Sequence, residues 1–298
     1  MPNLKRRRFF HKVYERIVPE PMSKDDGIEV IVNKLESEEP CMISRFGSTE
    51  LQTLTYVKLF PLLLPLKKRT YYNIQYCSGF FPVNFKNLRA FYKLYKKDVK
   101  EQLDVLISWR FEEFFFKRWI GDCPRVSKAT LDHFFEQERP WTRVLKNKRV
   151  LVIHPFAETI VDQYNINREK LFTNPEVLPR FKELHVIKAV QSIAGTPVDY
   201  NSWFDALEYM ESEINKVDFD IAILGCGAYG MPLAAYIKRL GKKAIHMGGV
   251  TQILFGIKGK VYVESPTFSP YINDYFVYPK DSDTPVNAKL VENGCYWK

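Results

Sequence analysis

The run Gly225-Cys226-Gly227-Ala228-Tyr229-Gly230 constrains this chain more than any other stretch. It stands between an apolar run, Phe219-Asp220-Ile221-Ala222-Ile223-Leu224, and a segment with apolar residues at Leu233, Ala234, Ile237 and Leu240 that ends on Gly241. That order predicts a buried strand, a tight turn and a helix. Such a turn offers backbone N–H groups and the positive end of a helix dipole to a phosphate. The glycines also have a purely mechanical use, because they let a helix and a strand pack closely. Their spacing, G-x-G-x-x-G, further suggests a dinucleotide cofactor, which requires an acidic residue at the end of the next strand. Here the next strand, Lys243-Ala244-Ile245-His246-Met247, ends on His246 and Met247, and little chain follows to supply the other strands of such a fold. The phosphate reading stands, while an NAD(P)-dependent oxidoreductase lacks its partner residue.

The same pattern occurs early in the chain. A helical periodicity with Ile28, Ile31, Val32 and Leu35 stops at Pro40, and a short strand, Cys41-Met42-Ile43-Ser44, follows. Then come Arg45-Phe46-Gly47-Ser48-Thr49-Glu50 and a helix-like run to Leu59, with Ser48 or Thr49 as the expected cap and Glu50 in the first turn. An amphipathic helix is expected from Phe85 to Leu103, and a strand from Asp104 to Trp109. Further on, strands at Val150–His154 and Leu184–Val190 alternate with helices starting at Ala157 and Ser202. Alternation of this kind predicts an α/β fold: a Rossmann-like, mostly parallel sheet with helices on both faces, as a single compact domain with a helical insertion. The expected division is a basic segment at 1–25, the α/β domain at 26–265 and a wrapping tail at 266–298.

Composition narrows the setting. The best apolar run, Leu59 to Leu66, is short and interrupted by Pro61 and Pro65, so no membrane span is expected. No secretory leader is expected either, and five scattered cysteines, an odd count without paired spacing, suit a reduced cytoplasmic protein. The net charge of +9 is partly local: Lys5, Arg6, Arg7, Arg8 and Lys12 are interleaved with Phe9 and Phe10. That segment suits the anionic inner face of a membrane, or is simply a solvated terminus. No nucleic-acid-binding module is recognisable.

The early corner and the late segments together resemble bacterial glycosyltransferases of the GT-D type. Their Arg-Phe-Gly-Asp-Gly-Glu turn supplies an Asp-x-Glu motif for a divalent metal and the sugar nucleotide. Arg45, Phe46, Gly47 and Glu50 match that turn, and Ser48 replaces the Asp. In the late strand, His246 falls where the family has Asp. The chain is closer still to a group from capsule and lipopolysaccharide clusters in which three motifs recur: Gly-Cys-Gly-Ala-Tyr-Gly, the run Gly248-Gly249-Val250-Thr251-Gln252-Ile253-Leu254-Phe255-Gly256-Ile257, and Gly294-Cys295-Tyr296-Trp297.

The resemblance implies a transferase that moves a sugar from a nucleotide-sugar donor to a surface-glycan or lipid-linked acceptor, with Glu50 or His246 as the base. It implies donor contacts from Arg45, Phe46, Gly47, Ser48, His154, Gly225, Gly227, Ala228, Tyr229, Gly230, Gly248, Gly249, Thr251 and Gln252. It also implies Mn²⁺ or Mg²⁺ at Glu50, held more weakly because a serine hydroxyl is a poorer hard-cation ligand than a carboxylate. Trp109, Arg110 and Trp203 are candidates for a sugar-stacking wall. Each side chain has a structural alternative: a helix-end carboxylate paired with Arg45 for Glu50, and a satisfied core imidazole for His246. With Ser48 in place of Asp, a non-catalytic protein that binds nucleotide or glycan and scaffolds polysaccharide assembly is the alternative function.

Overall fold

A computed structural model describes residues 20–63, 67–291 and 294–298. Residues 5–12, on which the membrane expectation rests, lie outside them. Seven strands form one sheet in the order β3-β2-β1-β7-β6-β4-β5. They are β1 (Cys41–Ser44), β2 (Val105–Ser108), β3 (Arg125–Ser127), β4 (Arg149–His154), β5 (Glu183–Lys188), β6 (Ile221–Leu224) and β7 (Lys243–His246). Every pairing is parallel, so the sheet is wholly rather than mostly parallel.

The longer helices are α1 (Lys24–Glu36), α2 (Ser48–Leu59), α3 (Lys68–Tyr76), α4 (Phe85–Gln102), α5 (Ala157–Leu171), α6 (Trp203–Ile214) and α7 (Gly230–Arg239). The expected boundary at residue 25 therefore falls inside α1. Alternate strand residues feed two cores, which is why the strands read as continuous apolar runs. Cys41, Ile43, Val150, Val152, Ile221, Ile223 and Ile245 pack with α1 and α5. Met42, Leu106, Leu151, Ile153, Ala222, Leu224 and Ala244 pack with α2, α4, α6 and α7.

The edge strand β3 and helix α3 were not foreseen. β3 is only three residues long and carries Arg125 and Ser127 half-buried, so no apolar run betrays it. A buried carboxylate ties it down. Glu113 accepts from Ser108 Oγ (2.5 Å), from the N–H groups of Trp109 and Arg110 (3.0 Å each) and from Arg125 Nη2 (2.9 Å). Residues 266–298 do more than wrap the domain. Lys260 and Val261 donate to Trp297 O and Cys295 O, at 2.9 Å each, so the tail is stitched to the segment after β7.

No helix among the described residues is long and apolar enough to cross a membrane. Because Glu113 holds β3 through an ion pair with no solvent to replace Arg125, Glu113→Ala is expected to cost about 3–5 kcal/mol. Urea unfolding would measure it, and a loss below about 1 kcal/mol would show that the pair does not anchor the edge.

Candidate functional site

Four neighbouring strands, β1, β7, β6 and β4, end at one cleft. Each delivers a residue at or just beyond its carboxyl end: Arg45, His246, Gly225 and His154. This is where ligands sit in open parallel sheets. The two glycine corners, far apart in the chain, are therefore one site. Gly47, Ser48 and Glu50 line it from the first corner, Gly225 and Gly227 from the second, and Gly248, Gly249 and Gln252 from the turn after β7. The cleft measures about 170 Å³. At roughly 10–15 Å³ per water-sized group, that holds on the order of a dozen such groups, enough for one hexose ring.

The glycine run works first as packing. A Cβ on Gly225 would stand 2.6 Å from His154 Cδ2 and Thr251 Oγ1 and 2.8 Å from Gly248 O. One on Gly230 would meet His246 Nε2 at 2.3 Å. Gly227 takes φ +57°, a left-handed conformation that glycine adopts without strain. The helix behind this run does not face the cleft. A 3₁₀ turn, Gly227–Tyr229, precedes α7, whose first residues are buried.

Several expected contacts accordingly fall outside the cleft. Ala228 and Gly230 lie beneath it, and Tyr229 is buried against Trp203 with ring centroids 4.8 Å apart. Phe46 is a core side chain packed on Phe116, so only its backbone lies near the site. Thr251 closes its own turn by donating to Gly248 O at 2.8 Å. The proposed aromatic wall does not form either. Trp203 is buried, Trp109 lies under the Arg45 guanidinium at 4.9 Å, and Arg110 pairs with Glu112.

The helix end that does face the cleft is α2. Its cap is Gly47, not Ser48 or Thr49, and a glycine brings no side chain to that position. Gly47, Ser48 and Thr49 all line the cleft, so the positive end of a 12-residue helix opens onto it. Glu50, the third helical residue, folds back over that end. A Cβ on Gly47 would lie 1.9 Å from Glu50 Oε2, which explains the glycine. The Glu50 N–H and Ser78 lie near the carboxylate and favour its charged form, but burial, the larger effect, raises its pKa.

The expected Arg45–Glu50 ion pair is not made. Arg45 donates to Met247 O at 3.2 Å and lies 3.9 Å from the buried Asp132 Oδ1, whose other oxygen pairs with Lys128. That one hydrogen bond, among the described residues, leaves most of its five N–H donors for a ligand. Arg45 is also the only cationic side chain lining the cleft among those residues.

Both histidines are neutral. Burial lowers the pKa of each to about 3, helped at His246 by the Arg45 charge. His154 Nδ1 accepts from Phe156 N–H at 3.0 Å, which puts the proton on Nε2. His246 directs Nδ1 at Ser44 Oγ, 3.1 Å away, and packs Nε2 on Gly230. With Nδ1 on Ser44, Nε2 against Gly230 and so low a pKa, His246 is a poor general base.

Reading motifs alone missed Ser78, which follows α3, and Gln191, which follows β5. It also assigned no role to Tyr296 and Trp297, which close the cleft from the tail. The Gly294–Trp297 motif was the signal for the last two. Ser78 and Gln191 lie on irregular backbone with no periodicity to reveal them.

For a metal, the cleft offers one carboxylate, Glu50, beside the exposed Ser48. No group of three His, Cys, Asp or Glu able to hold a metal ion occurs among the described residues. One carboxylate does not make an all-protein cage; a Mg²⁺ or Mn²⁺ at Glu50 would need phosphate oxygens of a ligand and waters to complete its shell.

No protein-family model matches this chain, and no curated protein does. Among solved structures, it is similar to one described as a new glycosyltransferase (DUF1792) from Streptococcus sanguinis, at TM-score 0.40 and 13% identity, over 89% of this chain and 96% of that one. A likeness so distant carries no weight on activity.

Two outcomes test this geometry. An unfolded histidine binds its proton near pH 6.5 and these bind theirs near 3, so the unfolded chain holds more protons in between. Their contribution is complete above 6.5 and is lost as pH falls toward 3, while the raised pKa of Glu50 opposes it near the ordinary carboxylate range. His154→Gln should therefore flatten the stability slope across this window by about 1.4 kcal/mol per pH unit, read by urea titration at several pH values. Ser48→Asp adds a second carboxylate to the corner and should tighten Mn²⁺ binding by about tenfold in calorimetry. Unchanged Mn²⁺ affinity would mean that the corner admits no cation.

Proposed function

We propose that this protein is a glycosyltransferase that takes a sugar from a nucleotide-sugar donor and passes it to a surface-glycan or lipid-linked acceptor. The observation that carries the reading is the convergence of the Arg45–Glu50 corner and the Gly225–Gly227 corner on one cleft at the strand ends. Motif resemblance at both corners and at the tail supplies the reaction class.

In this reading the donor diphosphate lies between Arg45, the open N-terminus of α2 and the backbone of the second corner. Fixed donors and a helix end stabilise the charge that grows on the leaving group, and they need no reorganisation as it does so. His154, protonated on Nε2, adds a neutral donor. Glu50 takes the proton from the acceptor hydroxyl, because burial has already raised its basicity above that of an ordinary carboxylate. No step is assigned to a metal. Transfer to a lipid-linked acceptor would place the protein at the inner face of a membrane, with the basic residues at 5–12 supplying attraction.

One observation favours binding without catalysis: the Glu50 carboxylate lies over the end of its own helix, a structural place for it. The NAD(P) reading has no such support, since β7 ends on a buried, neutral histidine.

Thermal shifts with UDP-, GDP-, CMP- and dTDP-sugars, against NAD(P), separate these readings. One nucleotide class should stabilise the protein, by about 2.7 kcal/mol at a hundredfold excess over its dissociation constant. Glu50→Gln keeps an acceptor over the helix end but cannot take a proton. It should retain that shift while turnover falls about 10²–10⁴-fold. Stabilisation by NAD(P) alone would refute the transferase, and undiminished turnover in Glu50→Gln would remove Glu50 as the base.

A further inference from the structure

A second cavity, of about 50 Å³, adjoins the main cleft and shares Ser78, Pro155, Gln191, Ile193 and Gly227 with it. Its remaining wall is Gly79, Ala189, Val190, Ser192, Cys226 and Tyr229, so no charged side chain among the described residues lines it. At roughly 10–15 Å³ per water-sized group, it admits about four such groups.

Its polar atoms are nearly all engaged. Ser192 Oγ donates to Gly79 O at 2.5 Å, Gln191 Nε2 donates to Asp283 O at 3.4 Å, and Ser78 lies beside the Glu50 carboxylate. Cys226 is buried, and its thiol stays protonated because burial raises its pKa. The exception is Tyr229. The residue is 2% exposed, its ring is fixed flat against Trp203, and its hydroxyl forms no hydrogen bond within 3.5 Å, although Ser192 lies close enough to influence it. A buried hydroxyl left without an acceptor is costly, so a ligand atom that accepts from it is favoured.

We propose that this cavity is a subsite for the acetamido group of an N-acetylated sugar held in the main cleft, with the Tyr229 hydroxyl donating to the amide carbonyl and the methyl lying among Ala189, Val190 and Cys226. The inference rests on the glycosyltransferase reading and names its sugar class. An acetamido group has four heavy atoms, one acceptor and an apolar end, which matches the size and chemistry of the cavity. A bare hydroxyl would leave the apolar part empty. A carboxylate or an ammonium would be buried without a countercharge.

Calorimetry with two matched pairs tests this: UDP-N-acetylglucosamine against UDP-glucose, and methyl N-acetylglucosaminide against methyl glucoside, with UDP as reference. The first pair reports a donor sugar and the second an acceptor sugar. The acetamido compound of at least one pair should bind about tenfold more tightly. Tyr229→Phe, which keeps the ring on Trp203, should lower that preference about fivefold, and Val190→Phe, which fills the cavity, should abolish it. Equal affinities within both pairs, or a preference that survives both variants, overturn the subsite while leaving the transferase intact. If UDP and all four sugar compounds fail to bind, the inference falls together with the UDP-sugar form of that reading.

Discussion

The ends of β6 and β4 and the turn after β7 can close on one another here because Gly225 has no side chain. Its Cα is enclosed by the end of β4 at His154, the turn after β7 at Gly248 and the Thr251 hydroxyl. Two hydrogen bonds continue the ladders past the formal strand ends, Gly225 N–H to Ile153 O and Met247 N–H to Leu224 O, both 3.0 Å. The floor of the cleft is therefore an extension of the sheet itself, as rigid as the two cores that sandwich it. Gly47 and Gly249 repeat the device at the walls, one beneath Glu50 and the other against Tyr296. Side chains that act on a ligand are held by backbone that cannot easily shift.

Burial then sorts the charges. Two imidazoles next to the cleft are driven neutral, so they neither repel nor attract a charged ligand strongly and serve as fixed dipoles. Arg45 is the cationic side chain at the cleft, and its guanidinium rests on the Trp109 face. The result is one permanent positive side chain, one helix end of the same sign, and one carboxylate whose charge is disfavoured. Such an arrangement suits an anionic ligand that brings its own negative charge to the α2 end of the cleft.

Much of this was legible in the chain. Strands buried on both faces leave unbroken apolar runs, and six of the seven were readable for that reason; Arg125–Ser127 escaped because an edge strand held by an ion pair needs no such run. The corners were readable as glycine turns after strands. Which helix end faced the ligand was not readable, because both corners have the same local pattern. The 3₁₀ turn at Gly227–Tyr229 rotates α7 away, while α2 starts directly at Ser48. His246 was legible as a residue at a strand end, but the direction of its ring depends on Ser44 and Gly230, which lie far from it in the chain. The contribution of the tail was hidden for the same reason, since Trp297 is brought to the cleft by the pairing of the tail with Lys260 and Val261.

Glu50 concentrates the remaining question of mechanism. A carboxylate in the first turn stabilises a helix by remaining ionised, and solvent exposure assists that ionisation. Glu50 is instead 5% exposed, and desolvation is the largest influence on its pKa, ahead of its hydrogen bonds and of Arg45. As a helix-end carboxylate alone it would be badly placed, because burial opposes the ionised form that such a place favours. A base, the role proposed for it above, profits from the same environment: packing over Gly47 fixes the direction of the carboxylate, and desolvation gives it affinity for a proton. In the proposed reaction the end of α2 is then what aims Glu50, and Gly47 is the residue that permits the aim.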